Sequence, residues 1–344
     1  MRALVFRGPA DLCVADFPDP VPGPDEVLLR ITATGICGSD LHGYTGENGR
    51  RHAGQIMGHE TVGRIVGVGS AVPEDRNLRP GRVATVNPVI GCGHCTACAA
   101  GDEHRCVRRR VIGVDPTLRS AFAELMTAPA GNVILLPDDV PEEYGALVEP
   151  LAVGYHAAVR GAITPQDRVL VVGGGPIGQA CALAARRLGA SRIAVSDLSP
   201  HRRALLGKLA LATIDPADGA VGERVRALLD GPADVVLDAV GTGASLADAF
   251  AGSAFGARIV LVGMNAPEIT LQAYEISTQE RSITGSFCYP SAEFRQTADW
   301  VATGPPELAH LIEGRTPLAG GPDAFAGLAS GELTASKVLV LCQS

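Results

Sequence analysis

A cysteine and a histidine that can share one metal ion lie in the segment GICGSDLHGYTGENGRRHAGQIMGHE, residues 35–60. Cys37 supplies a soft thiolate and His59 an imidazole, the ligand types that zinc favours in proteins. A catalytic zinc usually has three protein ligands and one open position, so a further ligand is expected. Glu60 follows His59 directly, and Glu149 lies in a later segment, ALVEPLAVGYHA, so either can complete the set. The glycine-rich segment predicts loop structure around the metal.

Four further cysteines have the spacing of a structural zinc site. Cys92, Cys95 and Cys98 are separated by two residues each, and Cys106 follows after seven more. Short C-x-x-C loops bring thiolates to adjacent corners of a tetrahedron, and four sulfur ligands leave no open position for a substrate. We therefore predict a structural zinc. Unliganded reduced thiols and an iron–sulfur cluster are the alternatives, but the C-x3-C-P run of bacterial ferredoxins is missing.

A glycine-rich turn follows the apolar segment 168–172 and precedes the helical pattern QACALAARRLG. The turn reads GGGPIG, and its residues are Gly173, Gly174, Gly175, Pro176, Ile177 and Gly178. A G-x-G-x-x-G pattern between a strand and a helix is typical of dinucleotide binding. Glycines let the backbone approach the pyrophosphate, and the N–H groups at the helix start bind its charge. We predict that these residues hold a nicotinamide dinucleotide.

The residue that selects between NAD and NADP is predicted to be Asp197. It ends the strand pattern RIAVSD, nineteen residues beyond Gly178. A carboxylate at this position accepts hydrogen bonds from the ribose hydroxyls and repels a 2′-phosphate, so NAD is predicted over NADP. Arg202 and Arg203 follow closely and leave NADP open, because an arginine can hold that phosphate. Arg202 is included among the candidate cofactor-binding residues.

Composition limits the class of protein. A chain of 344 residues, 46% hydrophobic and 19% charged, is predicted to form about two globular domains. The formal net charge of −8 would repel a phosphate backbone, so nucleic acid is not expected as a partner. No apolar run reaches the roughly 18 residues of a membrane span, and the start MRALVFRG meets a charge too early for a signal peptide. We expect a soluble cytoplasmic protein whose cysteines are reduced or metal-bound.

The elements that position these residues follow two different patterns. Residues 1–35 and 60–86 contain short alternating segments broken by turns, which predicts a β-rich domain. From residue 167 onwards strand and helix patterns alternate, which predicts βαβ units of a parallel, doubly wound sheet. The residues 282–289, SITGSFCY, return to short-strand character. The predicted fold class is therefore α/β, with a β-rich domain and a dinucleotide-binding domain.

Five motifs in order resemble the zinc-dependent medium-chain dehydrogenase/reductase superfamily, in its polyol (sorbitol-like) and threonine dehydrogenase branch. They are GICGSDLH, GHE, the four-cysteine cluster, VEP and the glycine-rich turn, and they extend over nearly the whole chain. The resemblance implies a GroES-like catalytic domain at 1–152 and 289–344 and an inserted Rossmann domain at 153–288. It also implies that Glu149 lies at the catalytic zinc. Zinc would activate the hydroxyl of a secondary alcohol, and hydride would pass to NAD⁺.

The resemblance also assigns roles around the zinc. Ser39 and His42 match the family's proton relay, whereas without the family they are a turn serine and a loop histidine. Tyr44 and Tyr289 are the candidates for substrate contact. The polar residues from Tyr44 to Gln55 otherwise predict a solvated loop. Cys288 stands where the sorbitol-like pattern has an arginine, so sorbitol itself is doubtful.

Several functions fit this pattern. The expected substrate is a small-molecule polyol, sugar or vicinal diol, with threonine or a cyclitol as the alternative within the superfamily. A homo-oligomer, tetramer or dimer, is expected because the resembled bacterial dehydrogenases are commonly tetramers. A zinc-ribbon module that binds nucleic acid would be basic, which this chain is not, and zinc-free quinone reductases lack the cysteine and histidine motifs. A non-catalytic protein that binds zinc and NAD is the alternative from another class.

Overall fold

The computed structural model describes residues 1–47 and 49–343. Within these residues the chain forms eighteen strands and ten α-helices, joined by turns and short 3₁₀ segments. The strands are β1 (Arg2–Gly8), β2 (Asp11–Asp16), β3 (Glu26–Gly35), β4 (Gln55–Ile56), β5 (Glu60–Val68), β6 (Val83–Val86), β7 (Val89–Ile90), β8 (Arg110–Val111), β9 (Leu125–Pro129), β10 (Val133–Leu135), β11 (Arg168–Val172), β12 (Arg192–Ser196), β13 (Ala212–Ile214), β14 (Ala233–Asp238), β15 (Ser253–Leu261), β16 (Ser282–Gly285), β17 (Gly314–Pro317) and β18 (Val338–Leu341). The helices are α1 (Gly38–Tyr44), α2 (Thr96–Ala99), α3 (Val148–Arg160), α4 (Pro176–Arg187), α5 (Pro200–Lys208), α6 (Val221–Leu229), α7 (Gly243–Gly252), α8 (Tyr274–Ser277), α9 (Ser291–Val301) and α10 (Gly321–Ser330).

The chain folds into two compact units. One comprises Met1–Glu149 and Pro290–Ser344, and the other comprises Pro150–Tyr289. The first unit contains both cysteine-bearing metal motifs, and the second contains the glycine-rich turn. None of the helices in the described part of the chain has the length and apolarity needed to cross a membrane.

The first unit is built on an antiparallel sheet centred on β3. Its strand order is β10-β6-β5-β3-β18-β17, with β9 also paired to β3 and only the β17–β18 pair parallel. A second sheet, β2-β1-β4, is joined to it by a hydrophobic core that includes Leu4, Phe122 and Phe325. Alternate residues of β3, among them Val27, Leu29 and Ile31, are fully buried, as expected of a strand with one face on a core.

The second unit is a six-stranded parallel sheet in the order β13-β12-β11-β14-β15-β16. The strands β11, β12 and β14 are almost entirely buried, because helices of a doubly wound fold cover both faces of such a sheet. The order reverses between β11 and β14, which is the switch point where dinucleotides bind in Rossmann folds. The predicted α/β fold class, with a β-rich and a Rossmann domain, is confirmed.

The predicted strands near Ala3, Val27, Glu60 and Arg168 are all present, but the metal motif differs from the expectation. The segment after Cys37 was predicted as loop because Gly38 and Gly43 are poor helix formers. It forms α1 instead, because the Asp40 carboxylate accepts a hydrogen bond from the Cys37 N–H at 3.3 Å, as in an N-terminal capping box. The last residue of the helix also packs in the core.

Candidate functional site

Cys37, His59 and Glu60 converge where β3 ends and β5 begins. The antiparallel register pairs Gly35 with Glu60, which places the residues just after β3 beside those that open β5. One ligand atom from each of Cys37, His59 and Glu60 lies within 4.8 Å of the other two. His59 and Glu60 are buried, and Cys37 is half-buried as the residue that caps α1. Sheet pairing therefore brings together residues that are more than 20 positions apart in the chain.

The ligand set at this cluster fits a zinc ion. A thiolate, an imidazole and a carboxylate are all common zinc ligands. Among the described residues, the buried atoms His59 Nδ1 and Glu60 Oε1 have no hydrogen-bond partner. Buried polar atoms normally have one, and an orphan pair beside a cysteine sulfur is typical of a metal site. A metal held by Cys37, His59 and one carboxylate would keep an open position for a substrate.

Lys337 is a component of this site that sequence reasoning missed. Its side chain is buried, and its ammonium donates to Glu60 Oε2 at 2.5 Å and to the Ile36 carbonyl at 3.2 Å. Burial works against the charge, but the Glu60 carboxylate and Cys37 outweigh it and raise the pKa of Lys337. One of Glu60's oxygens is therefore engaged by a cation, and the other faces the cluster. No local motif indicates this contact, because 277 residues separate the partners.

Glu149, the other candidate ligand, lies in the first turn of α3 and is buried. It is outside the compact group of Cys37, His59 and Glu60. Its carboxylate is nevertheless close enough to contribute to the raised pKa values of His59 and Lys337. The geometry therefore groups Glu60 with Cys37 and His59 and places Glu149 in the surroundings of that group.

Asp40 lies behind the histidine ligand. Its carboxylate is fully buried, and its Oδ1 lies 3.7 Å from His59 Nδ1. Burial opposes a charged imidazole, but Asp40 and the Cys37 sulfur outweigh it and raise the pKa of His59 well above its usual value. Because a ligating imidazole must be neutral, metal binding at this site would displace a proton. A carboxylate on the second ring nitrogen is the common support of a metal-bound histidine.

The predicted relay residues Ser39 and His42 lie on α1, three positions apart and therefore on one face of the helix. Both side chains are partly exposed. His42 Nδ1 lies 2.6 Å from Glu47 Oε2, and the histidine ring lowers the pKa of Glu47 through this hydrogen bond. The contact with Glu47 is a second feature that the sequence analysis did not predict.

Tyr44 and Tyr289, predicted as substrate contacts, are both buried. Tyr44 is 6% exposed, its hydroxyl donates to the Ala10 carbonyl at 3.3 Å, and its ring packs on Phe325 with centroids 5.6 Å apart. Tyr289 has no exposed surface. These placements assign both side chains to cores, which leaves them little surface with which to contact a substrate.

The loop from Tyr44 to Gln55 is only partly solvated. Glu47, Arg50 and His52 are exposed, as expected, but the side chain of Arg51 is 2% exposed and lies beside Asp40. Asn48 lies outside the described residues. The prediction of a solvated loop was therefore wrong at Arg51, because the guanidinium is drawn to the buried carboxylate.

The four predicted structural ligands also form one cluster. The sulfur atoms of Cys92, Cys95, Cys98 and Cys106 all lie within 4.8 Å of one another. The Cys95–Cys98 and Cys92–Cys98 sulfur distances are 3.5 and 4.0 Å. Zinc–sulfur bonds of about 2.3 Å place the corners of a tetrahedron about 3.8 Å apart, so the spacing fits zinc.

Charge in the cysteine cluster also favours a metal. Hydrogen bonds from the His94 backbone N–H and from neighbouring thiols lower the pKa of Cys92 to about 5, whereas burial raises that of Cys98 to about 11. Cys98 therefore holds its proton more tightly than Cys92 when no metal is bound. A zinc ion, which binds thiolates, would displace that proton.

In the second unit, the glycine-rich turn connects β11 to α4. Gly173 has φ of 93°, a left-handed conformation that glycine adopts without strain. A side chain at Gly178 would collide with the Gly173 carbonyl. Gly175 precedes the helix, with Pro176 at its first position and Ile177 in its first turn. The backbone N–H groups at this helix start are the predicted pyrophosphate site.

Asp197 follows β12 and reaches back to this turn. Its Oδ2 accepts from the Gly174 N–H at 2.6 Å, and its Oδ1 accepts from the Ser199 N–H at 2.7 Å. Arg202 Nη1 lies 3.5 Å from Oδ2, and the Arg202 side chain is half exposed. A carboxylate offers about four lone-pair sites, so the Asp197 carboxylate can still accept a further hydrogen bond beside these three partners.

Comparison with known proteins identifies the family. Residues 23–138 match the alcohol dehydrogenase GroES-like domain, and residues 176–303 match the zinc-binding dehydrogenase domain. The chain is 32% identical to L-galactonate-5-dehydrogenase of Escherichia coli K12 over 93% of its length and 92% of that protein. It is also 32% identical to sorbitol dehydrogenase of Bacillus subtilis 168, over 94% of this chain and 92% of the relative. The chain therefore belongs to the zinc-binding medium-chain dehydrogenases, in the polyol and threonine dehydrogenase branch.

A solved structure agrees in fold along nearly the whole chain. A zinc-binding dehydrogenase of Sinorhizobium meliloti 1021, bound to NADP, superposes with a TM-score of 0.89 at 30% sequence identity. The match covers 99% of this chain and 98% of that one. The resemblance of the five sequence motifs to this family is confirmed.

Proposed function

We propose that the chain is a zinc-dependent oxidoreductase that transfers hydride between NAD and a secondary alcohol, most favourably a polyol, sugar or vicinal diol. The observation that carries the proposal is the group of Cys37, His59 and Glu60, whose ligand atoms lie within 4.8 Å of one another and whose chemistry suits zinc. The relatives named for L-galactonate and sorbitol support the substrate class. The catalytic domain would comprise 1–152 and 289–344, and the dinucleotide-binding domain 153–288.

The chain's own residues would hold the reactants and move a proton. Cys37 and His59, with Glu60 or Glu149, would hold a zinc ion that acts as a Lewis acid and lowers the pKa of the alcohol hydroxyl. Ser39 and His42 would then carry the released proton towards solvent. Since the Glu47 carboxylate can only accept, it favours a proton on His42 Nδ1 and leaves Nε2 to receive one.

The second unit would bind the cofactor. The residues proposed to hold it are Gly173, Gly175, Pro176, Ile177, Gly178, Asp197 and Arg202. The structural neighbour described above is bound to NADP, so the fold alone does not exclude that cofactor and the choice is argued from Asp197. Its carboxylate would repel a 2′-phosphate, and Arg202 beside it is already paired with that carboxylate. We therefore favour NAD.

Asp197→Ala should narrow the preference for NAD over NADP. The variant loses charged hydrogen bonds to the ribose hydroxyls and the repulsion of a 2′-phosphate. We expect the NAD/NADP ratio of kcat/KM to fall by about 10- to 100-fold, the equivalent of about 1.5–3 kcal/mol. Steady-state kinetics with both cofactors on one preparation measure the ratio, so a general loss of activity cancels. Glu223→Ala, an exposed acid on α6, is the matched control, and an unchanged ratio in Asp197→Ala would contradict the assignment.

The test of the proposed function is NADH formation by zinc-loaded protein with NAD⁺ and a panel of substrates. The panel contains polyols, aldoses, vicinal diols, a cyclitol, threonine and simple alcohols. We expect the highest kcat/KM on a polyhydroxylated substrate, and loss of that activity with a chelator. A preference for threonine or a cyclitol would select the alternative substrate. NAD⁺ binding without turnover on any member would instead favour a non-catalytic zinc- and NAD-binding protein.

A cytoplasmic location and assembly into a homo-oligomer, tetramer or dimer, stay predictions from the family resemblance.

A further inference from the structure

Arg51 is a buried cation beside the metal centre, in the loop between α1 and β4. Its side chain is 2% exposed, its Nη2 lies 3.6 Å from Asp40 Oδ1, and the same nitrogen donates to the Ser39 carbonyl at 3.4 Å. Among the described residues, Arg51 Nε has no hydrogen-bond partner. Arginine is rarely buried unless it is paired, since removing the charge from water is costly. A local purpose for the guanidinium is therefore expected.

The partner of Arg51 contacts both parts of the metal centre. Asp40 Oδ1 lies between the guanidinium and the ring of His59, at 3.6 and 3.7 Å, and Oδ2 accepts from the Cys37 N–H. Oδ1 is itself an orphan acceptor among the described residues. Asp40 is therefore in a position to orient the ring of His59. The guanidinium of Arg51 and the Cys37 N–H are the groups beside this carboxylate that can hold it in place.

A glycine makes room for the guanidinium. A Cβ built on Gly43 would lie 2.6 Å from Arg51 Cγ and 2.9 Å from Arg51 Nε. Gly43 is in helix α1, where glycine costs about 1 kcal/mol relative to alanine. Gly43 therefore lowers the stability of α1, but it leaves the space that the Arg51 side chain occupies on its way to Asp40.

Charge pairing points the same way. Asp40 is a fully buried carboxylate, and the buried guanidinium of Arg51 lies beside it. Without Arg51 this carboxylate would lose a cation that compensates it in a low-dielectric site.

We propose that Arg51 is a positioning residue of the metal centre, which holds Asp40 against His59 and thereby strengthens metal binding. The proposal rests on the proposed function only in taking Cys37 and His59 as zinc ligands. The proposal thus gives the loop after α1, the helix that carries Ser39 and His42, a role in metal binding. Arg51 acts through Asp40 and not on the substrate.

The experiment measures metal affinity without any substrate. Arg51→Met removes the charge and keeps the volume, Arg51→Lys restores the charge, and Arg50→Met is the control on the exposed neighbouring arginine. Zinc per chain is measured in competition with a chelator, and Co²⁺ substitution reports ligand geometry through the visible spectrum. We expect Arg51→Met to bind the catalytic metal about 10- to 100-fold more weakly, the usual effect of losing an outer-shell partner. Arg51→Lys should recover part of the loss.

Two further variants show whether Arg51 acts through Asp40. Asp40→Asn alone should weaken the metal, and combining it with Arg51→Met should add little, because both changes break the same contact. Gly43→Ala keeps Arg51 but crowds it, so the metal should also weaken. This variant tests the proposal if Arg51→Met does not fold. Cys95→Ser removes a ligand of the four-cysteine cluster, so metal that this variant still binds can be assigned to the Cys37 and His59 site.

The outcomes separate this inference from the proposed function. If the wild-type protein holds metal only at the cysteine cluster, the proposed catalytic zinc is wrong. If it holds both metals, and Arg51→Met and Gly43→Ala match Arg50→Met in affinity and cobalt spectrum, then the positioning role of Arg51 is wrong. Additive losses in the Asp40→Asn and Arg51→Met cycle would also overturn it.

Discussion

Cys37→Ser should lose at least about 10³-fold in alcohol turnover while the protein keeps its fold and its NAD binding. The thiolate is one of the proposed zinc ligands, and a serine hydroxyl is a poor replacement because it remains protonated near neutral pH. Lewis-acid stabilisation by a metal amounts to several kcal/mol, and each 1.36 kcal/mol corresponds to a tenfold change in rate. Steady-state kinetics, thermal unfolding and calorimetric titration with NAD⁺ measure the three properties, and metal analysis gives the zinc content.

The control is Cys13→Ser, a half-buried cysteine on β2 outside both clusters. It should keep its metal content and turnover. The prediction for Cys37 separates chemistry from cofactor binding, since the glycine-rich turn belongs to the other unit. Retained turnover in Cys37→Ser, with its metal content unchanged, would contradict the assignment of Cys37 as a ligand.

Lys337→Met should lower the stability of the metal-free protein by roughly 3–5 kcal/mol, because Glu60 is left as a buried, unpaired charge. At about 2–4 °C per kcal/mol for a unit of this size, the melting temperature should fall by about 6–20 °C. The loss should be smaller with zinc bound, since an ion held by Cys37 and His59 would lie beside the same carboxylate and offset its charge. Thermal unfolding with and without chelator measures both quantities.

Two variants make this prediction specific. Lys208→Met, on the last turn of α5 and exposed, removes the other lysine of the chain and should change little. Adding Glu60→Gln to Lys337→Met should restore much of the stability, because no charge is then left unpaired. A melting temperature of Lys337→Met equal to that of Lys208→Met would mean that the ion pair does not contribute to the folded state.

The parts of this site that the sequence could predict are those in which partners are close along the chain. The Cys92–Cys106 cluster depends on loops of two and seven residues, and short loops of that kind bring the thiolates together by themselves. The glycine-rich turn is equally local. The positive φ of Gly173 and the close approach of Gly178 to the Gly173 carbonyl both arise within six consecutive residues. Cys37 and His59 could be proposed as ligands because their side-chain chemistry is specific to few roles.

The sequence was least informative where burial decides the environment of an ordinary residue. A substrate contact by Tyr44 stays a prediction, but residue type alone did not indicate that α1 packs its ring in the core against Phe325. Arg51 was assigned to a solvated loop, which is the usual place for arginine. The buried position of Arg51 is accounted for by the carboxylate of Asp40. Asp40 lies on α1, a helix that was predicted as loop because of its glycines.

The sequence by itself thus determined the family and the α/β class, and it predicted the cysteine cluster and the glycine-rich turn, because each depends on residue type and short-range spacing. Tertiary structure alone decided which charges meet. Sheet pairing places Glu60 against Gly35, β18 brings Lys337 to Glu60 from 277 residues away, and the loop before β4 folds Arg51 onto Asp40. Contacts of this range depend on the packing of the whole unit, and a buried ion pair is tolerated only where that packing brings the two charges together closely enough to offset the cost of removing them from water.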